Sequence, residues 1–140
     1  MILFKPEMKR AILEGRKTVT RRRWKKPRVK VGAIHQLYTR PAFARPPGEP
    51  FARVRIVDVF HEKYPGEHVR REFEMPHSTG VNWWEDWIED EARREGFASW
   101  ADFQWAYLCV NVTRKALRQG AASPLDEPCY RVEFVLEGAR

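Results

Sequence analysis

The sequence predicts an α+β fold, a small mixed sheet closed into a barrel with helices beside it. Period-two and helical apolar patterns follow one another in the order β-α-β-β-β-α-α-β. The 140 residues amount to a single domain spanning 1–140, long enough to bury a core without disulfides or metal. An apolar content of 43%, with six Trp, belongs to a packed globule rather than a disordered tail.

Ile2 to Phe4 is a short apolar run. Pro6 then suits the first turn of a helix, Met8, Ala11 and Ile12 recur at helical spacing, and Gly15 stands where a left-handed C-cap belongs. This predicts a helix over Pro6 to Glu14. Lys17 to Arg22 alternates with β-branched residues and reads as a strand or its approach, followed by a basic loop to Lys30. Ala33 to Thr39 is a second strand. Pro41, Pro46, Pro47 and Pro50 mark an irregular connection.

Phe51 to Phe60 alternates Val54, Ile56 and Val59 against Arg53, Arg55 and Asp58, and Val57 breaks step, which predicts a long strand with a bulge. Residues 61–82 read as a charged loop. Trp84, Trp87, Ile88 and Ala92 form a helical stripe that ends at Gly96. Ser99-x-x-Asp102 resembles a capping box opening a helix with Phe103 and Tyr107 on one face. Cys129 to Leu136 alternates cleanly and closes the domain as a strand.

Charge is segregated along the chain. Residues 1–60 carry 16 basic and 4 acidic side chains, a net of +12, whereas residues 61–140 carry 10 and 15, a net of −5. Such polarity suits a face for a polyanion. Eighteen of the 26 bases are Arg, the side chain best suited to bidentate phosphate contact, although a genome rich in Arg codons produces the same bias. Nine bases fall between Arg16 and Lys30 with no acid among them: Arg16, Lys17, Arg21, Arg22, Arg23, Lys25, Lys26, Arg28 and Lys30. Trp24 lies in their midst, either as a platform for an unstacked base or as an anchor tucked into the core.

Glu95 is eleven residues beyond Trp84, which brings it back to within about 20° of the same helix face, and Glu91 lies there too. A carboxylate in the last turn opposes the helix dipole. Glu95 is therefore either at a solvated boundary or held in a cleft by a cation from the first sixty residues. Histidines 35, 61, 68 and 77 lack ligand spacing, so no metal or other cofactor is expected. The two cysteines, Cys109 and Cys129, are too few for a disulfide framework and read as buried small hydrophobes in a reduced, cytoplasmic protein. No apolar run approaches 18 residues and no secretory leader is evident, so a membrane partner is not expected.

Two motifs carry a family resemblance. Ile12-Leu13-Glu14-Gly15-Arg16-Lys17-Thr18-Val19-Thr20-Arg21-Arg22 resembles the opening of the ASCH domain, a PUA-like family, and Glu95-Gly96-Phe97-Ala98-Ser99-Trp100-x-x-Phe103 resembles its second motif. The resemblance covers roughly Ile2 to Leu136. It implies a PUA-like β-barrel with flanking helices, a cleft between barrel and helices, and binding of RNA or a nucleotide. Some small bacterial members deacetylate the exocyclic amine of acetylated cytidine with a Lys, a Thr and a Glu, which correspond here to Lys17, Thr20 and Glu95. Other members are described as metal-dependent ribonucleases.

The chemistry of that trio is coherent: a Thr hydroxyl needs a base, and a Lys crowded by Arg16, Arg21 and Arg22 is pushed toward its neutral form. On a regular strand Lys17 and Thr20 would face opposite ways, so Lys17 must belong to the turn after Gly15 or a bulge must intervene. The first expectation is an RNA- or nucleotide-binding domain that uses Arg16 to Lys30 for phosphates, with Trp24, Tyr38 and Trp83 or Trp84 stacking a base. The alternatives are the amidohydrolase, a ribonuclease, and a protein-interaction module whose basic face meets an acidic partner.

Overall fold

In the computed structural model, the residues described are 1–73, 83–112, 120 and 123–139. Among them, five strands form one sheet in the order β1-β3-β4-β5-β2, curled into a half-barrel with helices around it. The strands are β1 (Ile2–Leu3), β2 (Val19–Arg22), β3 (Ile34–Tyr38), β4 (Pro50–Glu62) and β5 (Cys129–Ala139). The α-helices are α1 (Pro6–Leu13), α2 (Glu67–Phe73), α3 (Trp83–Arg94) and α4 (Trp100–Asn111), and a short 3-10 turn covers Pro124–Asp126. Strand β1 runs parallel to β3, and the other pairs are antiparallel.

Among the described residues the barrel is not closed by strand pairing. Its edges are β1 and β2, and the Arg22 side chain reaches from β2 to donate to the Leu3 carbonyl at 2.6 Å. The concave side holds the core: Ile2, Phe4, Ile12, Leu37, Phe51, Val54, Ile56, Val132 and Phe134 among others. Val29 joins it from the basic loop, so that loop is anchored as well as charged. Alternation in β4 slips between Ile56 and Asp58, leaving Val57 half-exposed at the bulge its sequence predicts.

Two helix ends share one device. In α1 the Arg16 amide bonds Ala11 O and the Gly15 amide bonds Ile12 O; in α3 Phe97 bonds Ala92 O and Gly96 bonds Arg93 O. Both are Schellman closures around a left-handed glycine, φ +77° at Gly15 and +91° at Gly96. The Thr18 amide then bonds Arg94 O at 2.8 Å, pinning the start of β2 to the end of α3. A Cβ on Gly96 would stand 3.0 Å from Met8 Sδ and 3.4 Å from Lys17 Cδ. Gly96→Ala is therefore expected to cost about 1–2 kcal/mol for the left-handed backbone alone, read as a lower urea midpoint. An unchanged midpoint would mean that this turn relaxes freely.

Residues 61–73 correct the expectation of a charged loop. Strand β4 continues to Glu62, and α2 occupies Glu67–Phe73. Among the residues of α2 whose side chains are described, the core-facing anchor is Val69, so no apolar periodicity marked the helix. The rest of that stretch, 74–82, lies outside the described residues. At α4, Ser99 caps the helix as its sequence predicts, its Oγ accepting from the Asp102 amide at 3.1 Å. Cys109 is exposed rather than buried, on the solvent side of α4.

Candidate functional site

Where β2, the end of α3 and the face of α4 meet, a cleft of about 660 Å³ opens along the free edge of the sheet. Lys17, Thr20, Arg22 and Glu95 line it, and Phe4, Phe97, Phe103 and Tyr107 supply aromatic walls. Its size falls in the range of small-molecule sites, and charged side chains, Lys17, Arg21, Arg22, Arg23 and Glu95 among them, stand between its aromatic walls.

Lys17 precedes β2 and belongs to the turn after Gly15, its amide bonding Ala11 O. That position removes the parity conflict between Lys17 and Thr20. The ammonium is buried and its three N–H groups are spent: 2.9 Å to Val19 O, 2.6 Å to Glu95 O and 3.2 Å to Glu95 Oε1. It thus closes the C-terminal end of α3, where a cation is favoured. Burial lowers the Lys17 pKa, Glu95 opposes that shift, and Arg22 and Arg21 contribute smaller lowering effects. Desolvation rather than like charge is the main cause, and Arg16, ion-paired with Glu14, takes no visible part.

Glu95 is 2% exposed and is the cleft carboxylate, not a boundary one. Its second oxygen accepts from Arg21 Nη1 at 2.9 Å. Arg21 alternates away from Thr20 toward the helical layer and serves three carboxylates. Nε and Nη2 clasp Glu62 at 2.7 and 3.3 Å, and Nη2 also donates to Glu91 at 2.5 Å. Directly across the β2–β5 ladder stands Arg131, a like charge that would repel it. Glu91 resolves the conflict, its Oε2 accepting from both guanidiniums and its Oε1 from Arg131 at 2.9 Å. Three carboxylates and three cations are thereby interleaved in one buried network. The convergence of Glu62, Glu91 and Glu95 would suit a cation, and the guanidinium of Arg21 fills that place.

The other residues singled out from sequence are dispersed. Arg21 and Lys17 are internal and withdrawn from the basic surface. Arg23 lies at the cleft rim, donating to Asn111 O at 3.1 Å and pairing with Glu127. Lys25 and Lys26 are exposed on the loop after β2, as are Arg28 and Lys30. Trp24 packs partly buried against the core near Tyr130, as an anchor. Tyr38 is half-buried with its hydroxyl on Gln36 and is not among the residues that line the cleft. Trp83 and Trp84 begin α3, and their side chains lie outside the described residues.

Sequence reasoning missed Glu62 and Arg131, and it missed Phe4 as a cleft wall. Phe103 and Tyr107 were placed on one helix face without a role. Among the described residues the buried Tyr107 hydroxyl has no hydrogen-bond partner, and burial pushes its pKa up, as it does for the neighbouring Cys129 thiol beside Glu62.

A curled α+β half-barrel with a helical layer over one edge and a cleft between them is a PUA-like architecture. Among solved structures the chain is similar to an ASCH domain from Lactobacillus crispatus JV V101, with a TM-score of 0.53 at 18% identity, over 91% of this chain and 69% of that one. The fold is therefore ASCH-like. An ASCH structure from Zymomonas mobilis (TM-score 0.49, 17% identity, 99% of this chain and 66% of that one) is also similar. So is a protein from Enterococcus faecalis V583 described by the family model DUF984 (0.48, 16%, 99% and 80%). No family model matches the chain, and no curated protein does. Among the described residues, no helix is long and apolar enough to cross a membrane.

Proposed function

We propose that the cleft takes the nucleoside end of a nucleotide or RNA and hydrolyses an acyl amide on the exocyclic amine of its base. The observation that carries this reading is that Thr20 lines the same aromatic-walled cleft as the buried Lys17–Glu95 pair. A basic face alone would require no such internal arrangement.

The chemistry runs in two steps. Burial favours loss of the proton that Lys17 donates to Glu95 Oε1, and the resulting neutral amine, still bonded to the Val19 and Glu95 carbonyls, accepts the Thr20 proton while Oγ forms a bond to the acyl carbon. The C–N bond then breaks, and Lys17 returns the proton to the departing amine. Water attacks the acyl-threonine by the reverse logic and releases the carboxylic acid and free Thr20. Glu95, held by Arg21 Nη1 at 2.9 Å, positions Lys17 through its other oxygen and its carbonyl. The phenyl rings offer stacking faces, and the exposed Lys25, Lys26, Arg28 and Lys30 supply a positive field that steers a phosphate toward the rim.

The test is hydrolysis of acetylated cytidine by the purified protein, with products separated by chromatography. Turnover should vanish in Thr20→Val, which keeps the shape but lacks the hydroxyl, while circular dichroism shows a folded chain. Turnover undiminished in Thr20→Val, or absent from the native protein, would sink the amidohydrolase reading. In the latter case, salt-dependent binding of RNA oligonucleotides at the exposed bases is the remaining reading to measure.

A further inference from the structure

The cation that touches Thr20 is not Lys17. All three Lys17 donors go to Val19 and Glu95. Among the described residues, the charged group on the Thr20 hydroxyl is Arg22, whose Nε donates to Oγ1 at 3.2 Å. Both residues lie on the cleft side of β2, two apart, so the strand itself presents them together.

Arg22 is also held from elsewhere. Its Nη2 donates to Leu3 O at 2.6 Å, and its guanidinium carbon lies 4.8 Å from the centre of the Phe4 ring. Those contacts fix the guanidinium without spending all its donors. Nη1 has no protein partner among the described residues, and the side chain lines the cleft. A cation preset against a hydroxyl, with donors to spare, is suited to charge that develops during attack.

We propose that Arg22 is a catalytic residue of this cleft, binding the Thr20 oxygen as it becomes anionic and offering its remaining N–H groups to the carbonyl oxygen under attack. The bond at 3.2 Å is long for a neutral hydroxyl and shortens as Oγ gains charge, because charge-assisted bonds are the shorter and stronger ones. Lys17 receives the proton, and Arg22 supports the oxygen left behind. The inference rests on Thr20 being the nucleophile, as in the reading above, but does not depend on acetylated cytidine being its substrate. The competing role for Arg22 is purely structural: tying β2 to β1 across the open edge.

An activated ester separates the two roles. With p-nitrophenyl acetate, Thr20 Oγ forms a bond to the acetyl carbon, p-nitrophenolate leaves, and the hydroxyl proton passes to the Lys17 amine. The acetyl group is located on the Thr20 peptide by mass, and its rate of appearance is followed from pH 6 to 10. Arg22→Met is expected to lower that rate by about 100-fold and to move its rise to higher pH. Arg22→Lys keeps the charge and most of the stem but lacks Nε. It is the variant expected to stay folded, and its rate should fall at least about tenfold.

A folded Arg22→Lys or Arg22→Met protein acetylated at the native rate across the pH range overturns the proposal. So does a native protein whose Thr20 takes no acetyl group. If Thr20 is acetylated in an Arg22-dependent manner but acetylated cytidine is not turned over, the substrate assignment fails and this inference stands. If acetylated cytidine is turned over equally by native protein and Arg22→Lys, the reverse holds.

Discussion

Arg21→Met is expected to destabilise the protein by about 3–5 kcal/mol, a large share of a small domain's stability, and to remove the proposed hydrolysis with it. Arg21 has no exposed side-chain surface and donates to Glu62, Glu91 and Glu95 together. Methionine fills a similar volume but satisfies none of those oxygens, leaving buried carboxylates with one cation too few. Replacing all members of such a network by apolar residues can be neutral; removing one member is not. Burial opposes the charge on Arg21, but the three carboxylates outweigh it and hold its pKa well above the usual guanidinium value. Arg21→Lys should be intermediate, because an ammonium keeps the charge but cannot clasp Glu62 and still reach the other two. Urea titration at neutral pH checks both variants. A methionine variant within 1 kcal/mol of native would show that these carboxylates lose their partner at little cost.

The proposed hydrolysis should fall for a separate reason. Glu95 is suspended between Arg21 and Lys17, so the geometry of the cleft depends on a buried residue whose donors are spent on Glu62, Glu91 and Glu95. The 3.2 Å contact to Lys17 is the end of a chain that starts at Glu62 and Arg131 on the long strands.

The ease of reading these parts from sequence follows from how local their causes are. The helix ends at Gly15 and Gly96, the cap at Ser99 and the bulge at Val57 arise within a few residues, and each was legible. Glu91 and Glu95 could be placed on the inner face of α3 by helical arithmetic alone. Their partners could not, because nothing near Arg131 marks it as buried. It alternates with Val132 on β5 as an outward residue should, and only the helical layer packed on that face covers it. Glu62 was hidden at a strand end that read as loop. The basic run misled for the same reason: nine cations in one segment look equivalent in sequence, yet Lys17 and Arg21 point inward to buried acids while Lys25 and Lys26 meet solvent. Segregated charge therefore served internal pairing between the halves of the chain as well as any external polyanion.

Acid should expose the same network from the opposite side. Hydrogen bonds from Arg131 and Arg21 hold Glu91 at a pKa of about 2, below its ordinary 4.5, against the upward pull of burial. A group with a depressed folded pKa contributes stability that is full above the unfolded value and is lost as pH falls toward the folded one. The contribution of Glu91 is therefore intact at pH 6, begins to fall near pH 4.5 and is gone near pH 2. Its size is on the order of 3 kcal/mol, from about 1.4 kcal/mol per pKa unit. Glu91→Gln cannot ionise, so it should be less stable than native at pH 6 and show a flatter decline from pH 4.5 to 2, with the two stability curves converging in acid. Urea midpoints at pH 6, 4 and 3 measure this directly. Curves that stay parallel would mean that Glu91 is not the titrating group, and that the like charges of Arg21 and Arg131 are reconciled by something other than the carboxylate between them.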